Sequence, residues 1–222
     1  MQARQVNPWG WIPSLYFVQG LPYVVVMTLS VIMYKNLGLS NEAIALYTSW
    51  LYLPWVIKPL WSPLAEMIGT QRGWIWALQF TLGVALALVA LTLPGPQFFR
   101  LSLAVLWLMA FASASHDIAA DGFYLLAQPV HRQAAFIGVR STCYRGANIA
   151  VQGGLVALAG QLQHRLGDTA LAWSFVFGGA AVLFVLLAIW HAVQLPRPVL
   201  APRHRGGAAV QEFFGTFASY FR

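Results

Sequence analysis

The chain of 222 residues is 59% hydrophobic and only 9% charged, with a mean hydropathy of +0.65, whereas about a quarter of the residues of an average soluble domain are charged. Its 6 acidic residues are too few to solvate a surface, which excludes an ordinary soluble domain. The sequence also lacks the every-second-residue alternation of an outer-membrane barrel. The net charge of +7 suggests nucleic-acid binding, but the basic residues are scattered over short connections, so we expect no nucleic-acid partner.

Apolar runs of about twenty residues recur along almost the whole length, which predicts an all-α, polytopic membrane protein in a lipid bilayer. Six transmembrane helices are predicted, at residues 9–34, 42–65, 73–94, 98–127, 133–162 and 170–194. The connections between them are short, so we expect successive helices to be antiparallel neighbours in one bundle. Ser40 is a candidate N-cap for the second span.

The composition of the chain changes after Gln194. We assign residues 1–195 to the six-helix unit and residues 196–210 to a cytoplasmic linker rich in Pro, Arg and Gly. Residues 211–222 form an amphipathic, aromatic lead-in to a missing second lobe. Because a linker and a lead-in would serve a further domain, we expect the 222 residues to be the front half of a larger protein.

The distribution of Lys and Arg predicts the orientation of the chain in the membrane. With the N-terminus inside, the inner segments hold seven of these residues, namely Arg4, Arg72, Arg132, Arg197, Arg203, Arg205 and Arg222. The outer segments hold three, namely Lys35, Arg100 and Arg165. This excess predicts that both termini lie in the cytoplasm.

The three remaining basic residues lie inside predicted spans, where ionisable groups are costly and are functional candidates. In the fourth span, Asp117 and Asp121 are spaced i and i+4, which places them on one face of a helix. At about 1.5 Å per residue, Asp121 lies level with Arg140 of the fifth span, and Asp117 lies level with Arg145. Lys58 of the second span falls at the depth of Asp121 and Arg140, which leaves it without a carboxylate of its own.

Two interpretations compete for this charged cluster. Buried ion pairs between helices account for two cations and two anions but leave Lys58 over. Alternatively, the excess of positive charge marks a water-filled cavity for an anion, in which one carboxylate exchanges a proton as an arginine pairs alternately with it and with the substrate. On this hypothesis Asp117 and Asp121 couple protons, while Lys58, Arg140 and Arg145 bind the substrate.

His116, beside Asp117, either joins such a proton relay or is a polar residue at a helix interface with a local hydrogen bond. The 5 histidines fall in segments without zinc-ligand spacing, and no GxxxxGK[ST] motif is present, so we expect neither a metal nor a cofactor. No nucleophile with a neighbouring base is apparent, which argues against an enzyme.

Four short motifs carry a resemblance to a known family. They are, in chain order, Gln19-Gly20-Leu21-Pro22, Lys58-Pro59-Leu60-Trp61-Ser62-Pro63-Leu64, Ser113-Ala114-Ser115-His116-Asp117-Ile118 followed by Asp121, and Tyr144-Arg145. Their order and spacing resemble those of the AmpG-like muropeptide permeases of the major facilitator superfamily. His116 replaces the Gln of the family motif, and Arg140 has no counterpart there.

The resemblance implies that six helices form one lobe of a major facilitator fold, built from two inverted three-helix repeats, with the transport path between two lobes. A second six-helix lobe is therefore expected, from the same full-length chain or from a homodimer. The resemblance also implies a proton-coupled importer of N-acetylglucosamine–anhydro-muramyl peptides in the bacterial inner membrane. In such an importer, working by alternating access, Asp117 and Asp121 matter for transport.

The signature loop that this superfamily has between its second and third helices resembles residues 62–72, with Glu66 in place of the usual Asp. The resemblance assigns a gating role to Glu66 and Arg72, which would hold helix ends together across the cytoplasmic face.

Two other functions stay open. Another amphiphilic anion, such as an acyl-CoA or a siderophore, would also suit a path lined by basic and aromatic residues. A non-transporting six-helix membrane protein that binds a partner lobe or senses a ligand would suit the same helices.

Overall fold

The computed structural model describes residues 7–62 and 69–197. All the regular structure in these ranges is helical, as predicted. Its main helices are α1 (Pro8–Asn36), α2 (Asn41–Thr48), α3 (Leu53–Ile57), α4 (Gln71–Thr92), α5 (Phe98–Ala127), α6 (Val130–Ile149), α7 (Val156–Leu166) and α8 (Thr169–Gln194). Glu66, most of the predicted linker and the predicted lead-in at 211–222 lie outside the described residues.

The start and the middle of α1 follow from its polar cap and its prolines. The Asn7 side chain accepts a hydrogen bond from the Trp9 amide at 3.1 Å, and Pro8 occupies a first-turn position, where no N–H is needed. Pro22, inside the helix, cannot donate to the hydrogen-bond ladder. Shortly after it, the helix widens into a π-helical turn at Val25–Leu29.

The second predicted span is helical but broken. α2 begins at the predicted N-cap, where the Ser40 hydroxyl accepts a hydrogen bond from a backbone amide at 3.2 Å. The chain then continues as the 3₁₀ turn Ser49–Tyr52, α3 and the 3₁₀ turn Lys58–Leu60. Pro54 and Pro59 have no amide hydrogen, so one continuous α-helical ladder cannot pass through both.

The fifth predicted span is helical throughout. α6 passes into a π-helical turn at Ala150–Leu155 and then into α7. Gly167, with a φ of +69°, ends α7 in the left-handed conformation that favours glycine. Asp168 then begins α8 by accepting a hydrogen bond from the Leu171 amide at 2.9 Å.

In the described part of the chain, four helices are long and apolar enough to cross a membrane, namely α1, α4, α5 and α8. They coincide with four of the six predicted spans and confirm an all-α, polytopic membrane protein. The α2–α3 segment, which prolines interrupt, and the α6–α7 segment, which is rich in Arg, Gln and Gly, are not among them. Six crossings, arranged as two inverted repeats, stay a prediction.

The helices pack around α4, which contacts α8 and α5 most extensively, while α1 packs against α6. Fully buried aromatic side chains fill the interior, among them Tyr34, Phe123 and Trp173. Gly20 allows α1 to approach α6 closely, because a Cβ atom added there would lie 2.8 Å from the Tyr144 carbonyl oxygen. This contact brings the two arginines of the fifth span against α1.

Candidate functional site

Asp121 of α5 is held by groups from α1 and α6. Its Oδ1 accepts hydrogen bonds from the Tyr16 hydroxyl at 3.0 Å and from Arg140 Nη2 at 2.5 Å. The Arg140 guanidinium also lies over the rings of Tyr16 and Tyr124, at 4.2 Å from each ring centroid, which is typical of a cation–π contact. These four residues, which we call the Arg140 clamp, join α1, α5 and α6.

Asp117, one turn earlier on α5, has a more distant ionic partner. It is buried, and its Oδ2 lies 3.9 Å from Lys58 Nζ. Three residues beyond Lys58, the Trp61 indole N–H donates a hydrogen bond to the Ser115 hydroxyl at 3.2 Å. The Lys-Pro-Leu-Trp-Ser and Ser-Ala-Ser-His-Asp motifs therefore contact each other at two points.

A cavity of about 470 Å³ opens beside the Arg140 clamp. It is lined by Tyr16, Gln19, Asp121, Ile137, Arg140, Ser141, Tyr144 and Arg145. Its volume is typical of small-molecule sites. Within residues 7–62 and 69–197, Arg145 makes neither an ion pair nor a hydrogen bond.

The depth argument is right for one ion pair and wrong for the other. Asp121 pairs with Arg140 as predicted, but Asp117 faces Lys58 instead of Arg145. Lys58 opens a 3₁₀ turn, whose rise of about 2.0 Å per residue exceeds the 1.5 Å or so of an α-helix. Over three residues this adds only about 1.5 Å, which is part of the difference in depth between Lys58 and Asp117. Among the five charged groups, the cation left without a described partner is Arg145.

His116 does not meet the two carboxylates; it faces α4 and α8. Its Nε2 lies 2.9 Å from Gln79 Nε2, and Gln79 Oε1 lies 2.9 Å from His191 Nδ1. His191 Nε2 lies 3.0 Å from the Ser14 hydroxyl. This polar chain (Ser14, His191, Gln79 and His116) links α1, α8, α4 and α5. Its contacts match the helix-interface interpretation of His116, and a proton relay through His116 stays a prediction.

The sequence analysis missed several residues of this region, above all Gln79 and His191. Both are fully buried. The sequence signal for each of them is a polar side chain inside an apolar span. Such a group is costly in a membrane unless it is paired, so it indicates a polar partner on another helix.

Arg72 begins α4 next to the end of α8. Its Nε donates a hydrogen bond to the Leu195 carbonyl oxygen at 3.1 Å, and its Nη2 donates to the Ala192 carbonyl oxygen. Carbonyl groups at the end of a helix have no helical N–H left to bind them, so Arg72 caps α8 from a neighbouring helix. Its pairing with Glu66, which lies outside the described residues, stays a prediction.

Three features together define the class of protein. Apolar helices are long enough to cross a membrane, a cavity beside them holds a guanidinium that has no partner among the described residues, and two carboxylates lie on one helix face close by. No group of three or more His, Cys, Asp or Glu side chains in the described ranges is placed to hold a metal ion. This is the arrangement of a polytopic membrane protein with ionisable groups among its helices.

The chain belongs to the BT1 family, whose model matches residues 19–217. Its curated relatives include the anhydromuropeptide permeases of Escherichia coli strain K12 and E. coli O157:H7, each 30% identical over 171 residues, or 72% of this chain. These findings confirm the resemblance to AmpG-like permeases, and the two relatives are permeases and not enzymes.

The match covers 33% of each of these relatives, so the chain spans about a third of their length. The family and the apolar helices together make it a multi-pass protein of the inner membrane.

Proposed function

We propose that this protein is a proton-coupled secondary transporter that imports an anionic sugar-peptide, such as an anhydro-muropeptide, across the inner membrane for cell-wall recycling. The chain supplies the N-terminal six-helix lobe, with both termini in the cytoplasm. The second lobe comes from the same full-length chain or from a homodimer. The observation that carries the proposal is Arg145, a cation without an ionic partner among the described residues, in a cavity of about 470 Å³, and the name of the two relatives supports the substrate.

Arg145 is the group that first meets the anion. A guanidinium binds a carboxylate through two parallel hydrogen bonds, and a muropeptide carries carboxylates on its peptide. Ser141 and Tyr144, on the same cavity wall, add hydroxyl groups suited to the hydroxyls and amides of a sugar-peptide. Lys58 and Arg140 already face carboxylates, so they become available to substrate only when those carboxylates are neutralised.

The proton acceptor of this mechanism is Asp117. Its ionic partner Lys58 is 3.9 Å away and has 38% of its side chain exposed, so the pair is weakly held. Asp121, bound to Arg140 and Tyr16, is the second carboxylate and keeps the cation of the clamp in place. A proton on Asp117 releases Lys58 towards the substrate, which links proton entry to substrate binding. His116 contributes from the far side of α5 by fixing its rotation through Gln79.

Gating involves the cytoplasmic ends of α4 and α8. The hydrogen bonds from Arg72 to the carbonyl groups that end α8 support its assignment to this role. Glu66, six residues earlier, is its proposed acidic partner across the cytoplasmic face.

The test is uptake of radiolabelled N-acetylglucosamine–anhydro-muramyl tripeptide by the full-length protein in proteoliposomes. We expect accumulation against a concentration gradient when the outside is acidic, and loss of accumulation on adding a protonophore. Arg145→Gln should abolish uptake, whereas Arg165→Gln, on the exposed end of α7, should leave it unchanged.

The same assay separates the alternatives. If unlabelled acyl-CoA or ferric siderophore inhibits uptake and unlabelled muropeptide does not, the transporter is assigned to another amphiphilic anion. Saturable binding without accumulation under any gradient would contradict transport and favour the sensor hypothesis.

A further inference from the structure

Three aromatic residues of α1 and the proline-broken segment form a group that we call the aromatic wall, namely Tyr23, Tyr52 and Trp55. The rings of Tyr23 and Trp55 meet edge to face with their centroids 5.1 Å apart, and the rings of Trp55 and Tyr52 are stacked at 6.5 Å. Tyr23 and Trp55 are half-buried against the apolar core, whereas Tyr52 is 46% exposed. The aromatic wall is thus held in place by the core and keeps part of its ring surface accessible.

The aromatic wall continues the wall of the cavity along α1. Tyr16 and Gln19 line the cavity, and Tyr23, seven and four residues further on, lies on the same face of the helix. Tyr144, another cavity residue, contacts α1 beside this face, because its Cδ2 lies 3.3 Å from the position of a Cβ atom added to Gly20. Tyr23 lies roughly 10 Å along the helix axis from Tyr16. A ligand that extends past Gln19 therefore meets the rings of the aromatic wall.

The accessible side of the aromatic wall faces a polar space. Tyr52, Trp55 and Lys58 follow one another at intervals of three residues, which places them on one side of their segment. The Lys58 side chain is 38% exposed, and its Nζ lies 3.9 Å from Asp117. Because an ammonium group is costly against lipid acyl chains, this side of the segment borders the polar path and not the lipid.

A pyranose ring has the chemistry that fits this surface. In β-linked N-acetylglucosamine the ring substituents are equatorial, so C–H groups point to the two faces of the ring and polar groups lie at its edge. Tyr and Trp have the same division, with an apolar ring face and an O–H or N–H at the rim. Ligand sites typically combine such aromatic surfaces with a small number of charged groups, which here is the guanidinium of Arg145.

We propose, on the basis of the transport function above, that the aromatic wall is a saccharide subsite of the cavity. The N-acetylglucosamine ring stacks on the accessible ring surface of Trp55 and Tyr52, while a carboxylate of the peptide binds Arg145. Tyr23 positions Trp55 through the edge-to-face contact. The ligand class is a β-linked pyranose joined to an anionic group, and the aromatic wall contributes nothing to the binding of a peptide without sugar.

The experiment measures equilibrium binding of the radiolabelled muropeptide to the purified full-length protein and its displacement by two probes. One probe is N,N′-diacetylchitobiose, a neutral β-linked disaccharide, and the other is the free tripeptide. Trp55→Leu removes the stacking surface, so we expect it to weaken binding of the muropeptide and of the disaccharide by about tenfold each. Its affinity for the tripeptide should not change. Arg145→Gln should weaken binding of the tripeptide and leave that of the disaccharide unchanged.

The chain offers a matched control in Trp190 of α8. This tryptophan is 47% exposed and is not part of the cavity wall or of the aromatic wall. Trp190→Leu should keep the wild-type affinity for all three ligands. If Trp55→Leu does not fold, Tyr52→Leu decides, because the more exposed Tyr52 contributes less to the core and should still weaken binding of the disaccharide but not of the tripeptide.

The outcomes distinguish this inference from the function on which it rests. Wild-type protein that binds the tripeptide but not the disaccharide overturns the saccharide subsite, as does a folded Trp55→Leu variant with the wild-type affinity for the disaccharide; both leave the transport function standing. Equal losses for disaccharide and tripeptide in Trp55→Leu also overturn the subsite, because the ring would then support the whole cavity. Wild-type protein that binds none of the three ligands overturns the proposed function and the subsite with it. Losses confined to the two sugar-containing ligands, and absent in Trp190→Leu, support both.

Discussion

The two carboxylates of α5 share one helix face but have opposite surroundings. The Asp121 side chain is 48% exposed and yet is bound at 2.5 Å by Arg140, whereas the Asp117 side chain is 11% exposed and has its cation at 3.9 Å. The more accessible group is thus the more firmly held. The difference comes from the neighbouring helices, because α6 and α1 build the Arg140 clamp around Asp121, while a proline-broken segment brings Lys58 to Asp117. We therefore propose that Asp121 serves as a fixed structural charge and that Asp117 is the carboxylate that changes its protonation.

Replacing each carboxylate with its amide tests this division most directly. We expect Asp117→Asn to lower proton-driven uptake by up to about 100-fold with little change in melting temperature. Asp121→Asn, which removes the ion pair of the clamp, should instead lower the melting temperature clearly. Uptake in proteoliposomes and thermal unfolding in detergent measure the two effects, and unchanged uptake in Asp117→Asn would contradict the assignment.

Removing the cation of the clamp should give the largest loss of stability. Arg140→Gln leaves the Asp121 carboxylate without its ionic partner and removes two cation–π contacts, so we expect a loss of about 2 kcal/mol in the free energy of unfolding. Arg140→Lys keeps the charge but not the planar group and should recover part of this loss. An Arg140→Lys variant as stable as the wild-type protein would show that the planar guanidinium contributes nothing beyond its charge.

A smaller effect is expected at the hydroxyl of the clamp. Tyr16→Phe keeps the ring under Arg140 but removes the hydrogen bond to Asp121 at 3.0 Å, which should cost about 1 kcal/mol. The double mutant Tyr16→Phe/Asp121→Asn should lose less stability than the sum of the two single-mutant losses, because both single mutants remove the same hydrogen bond. Strictly additive losses in this double-mutant cycle would contradict the contact.

The smallest loss of stability is expected from removing Lys58, the cation that faces Asp117. Lys58→Met should change the free energy of unfolding by less than about 1 kcal/mol, because its ammonium group is partly exposed and 3.9 Å from Asp117. Thermal unfolding of Lys58→Met beside Arg140→Gln checks the contrast, and comparable losses would remove the distinction between the two sites.

The sequence predicts the parts of this fold that depend on local pattern. Long apolar runs identify α1, α4, α5 and α8, and a serine at the right position identifies the cap of α2. The pair of Asp121 and Arg140 also follows from counting residues, because both lie in regular helices with a known rise.

Other parts depend on geometry that residue counts do not contain. Pro54 and Pro59 change the rise and direction of the second span, so the partner of Asp117 could not be found by depth. The polar chain through Gln79 and His191 depends on how α4, α5 and α8 are rotated about their axes, which only packing determines.

The polar chain through Ser14, His191, Gln79 and His116 also limits which parts of the molecule can move. Separating two hydrogen-bonded neighbours of this chain would leave buried polar groups unpaired, at a cost of about 1–3 kcal/mol for each group, so we expect α1, α4, α5 and α8 to move together. The proline-broken segment lies outside the polar chain and docks on α5 through Lys58 and Trp61. We therefore expect rearrangement to begin in that segment, with a proton on Asp117 removing the ionic contact of Lys58.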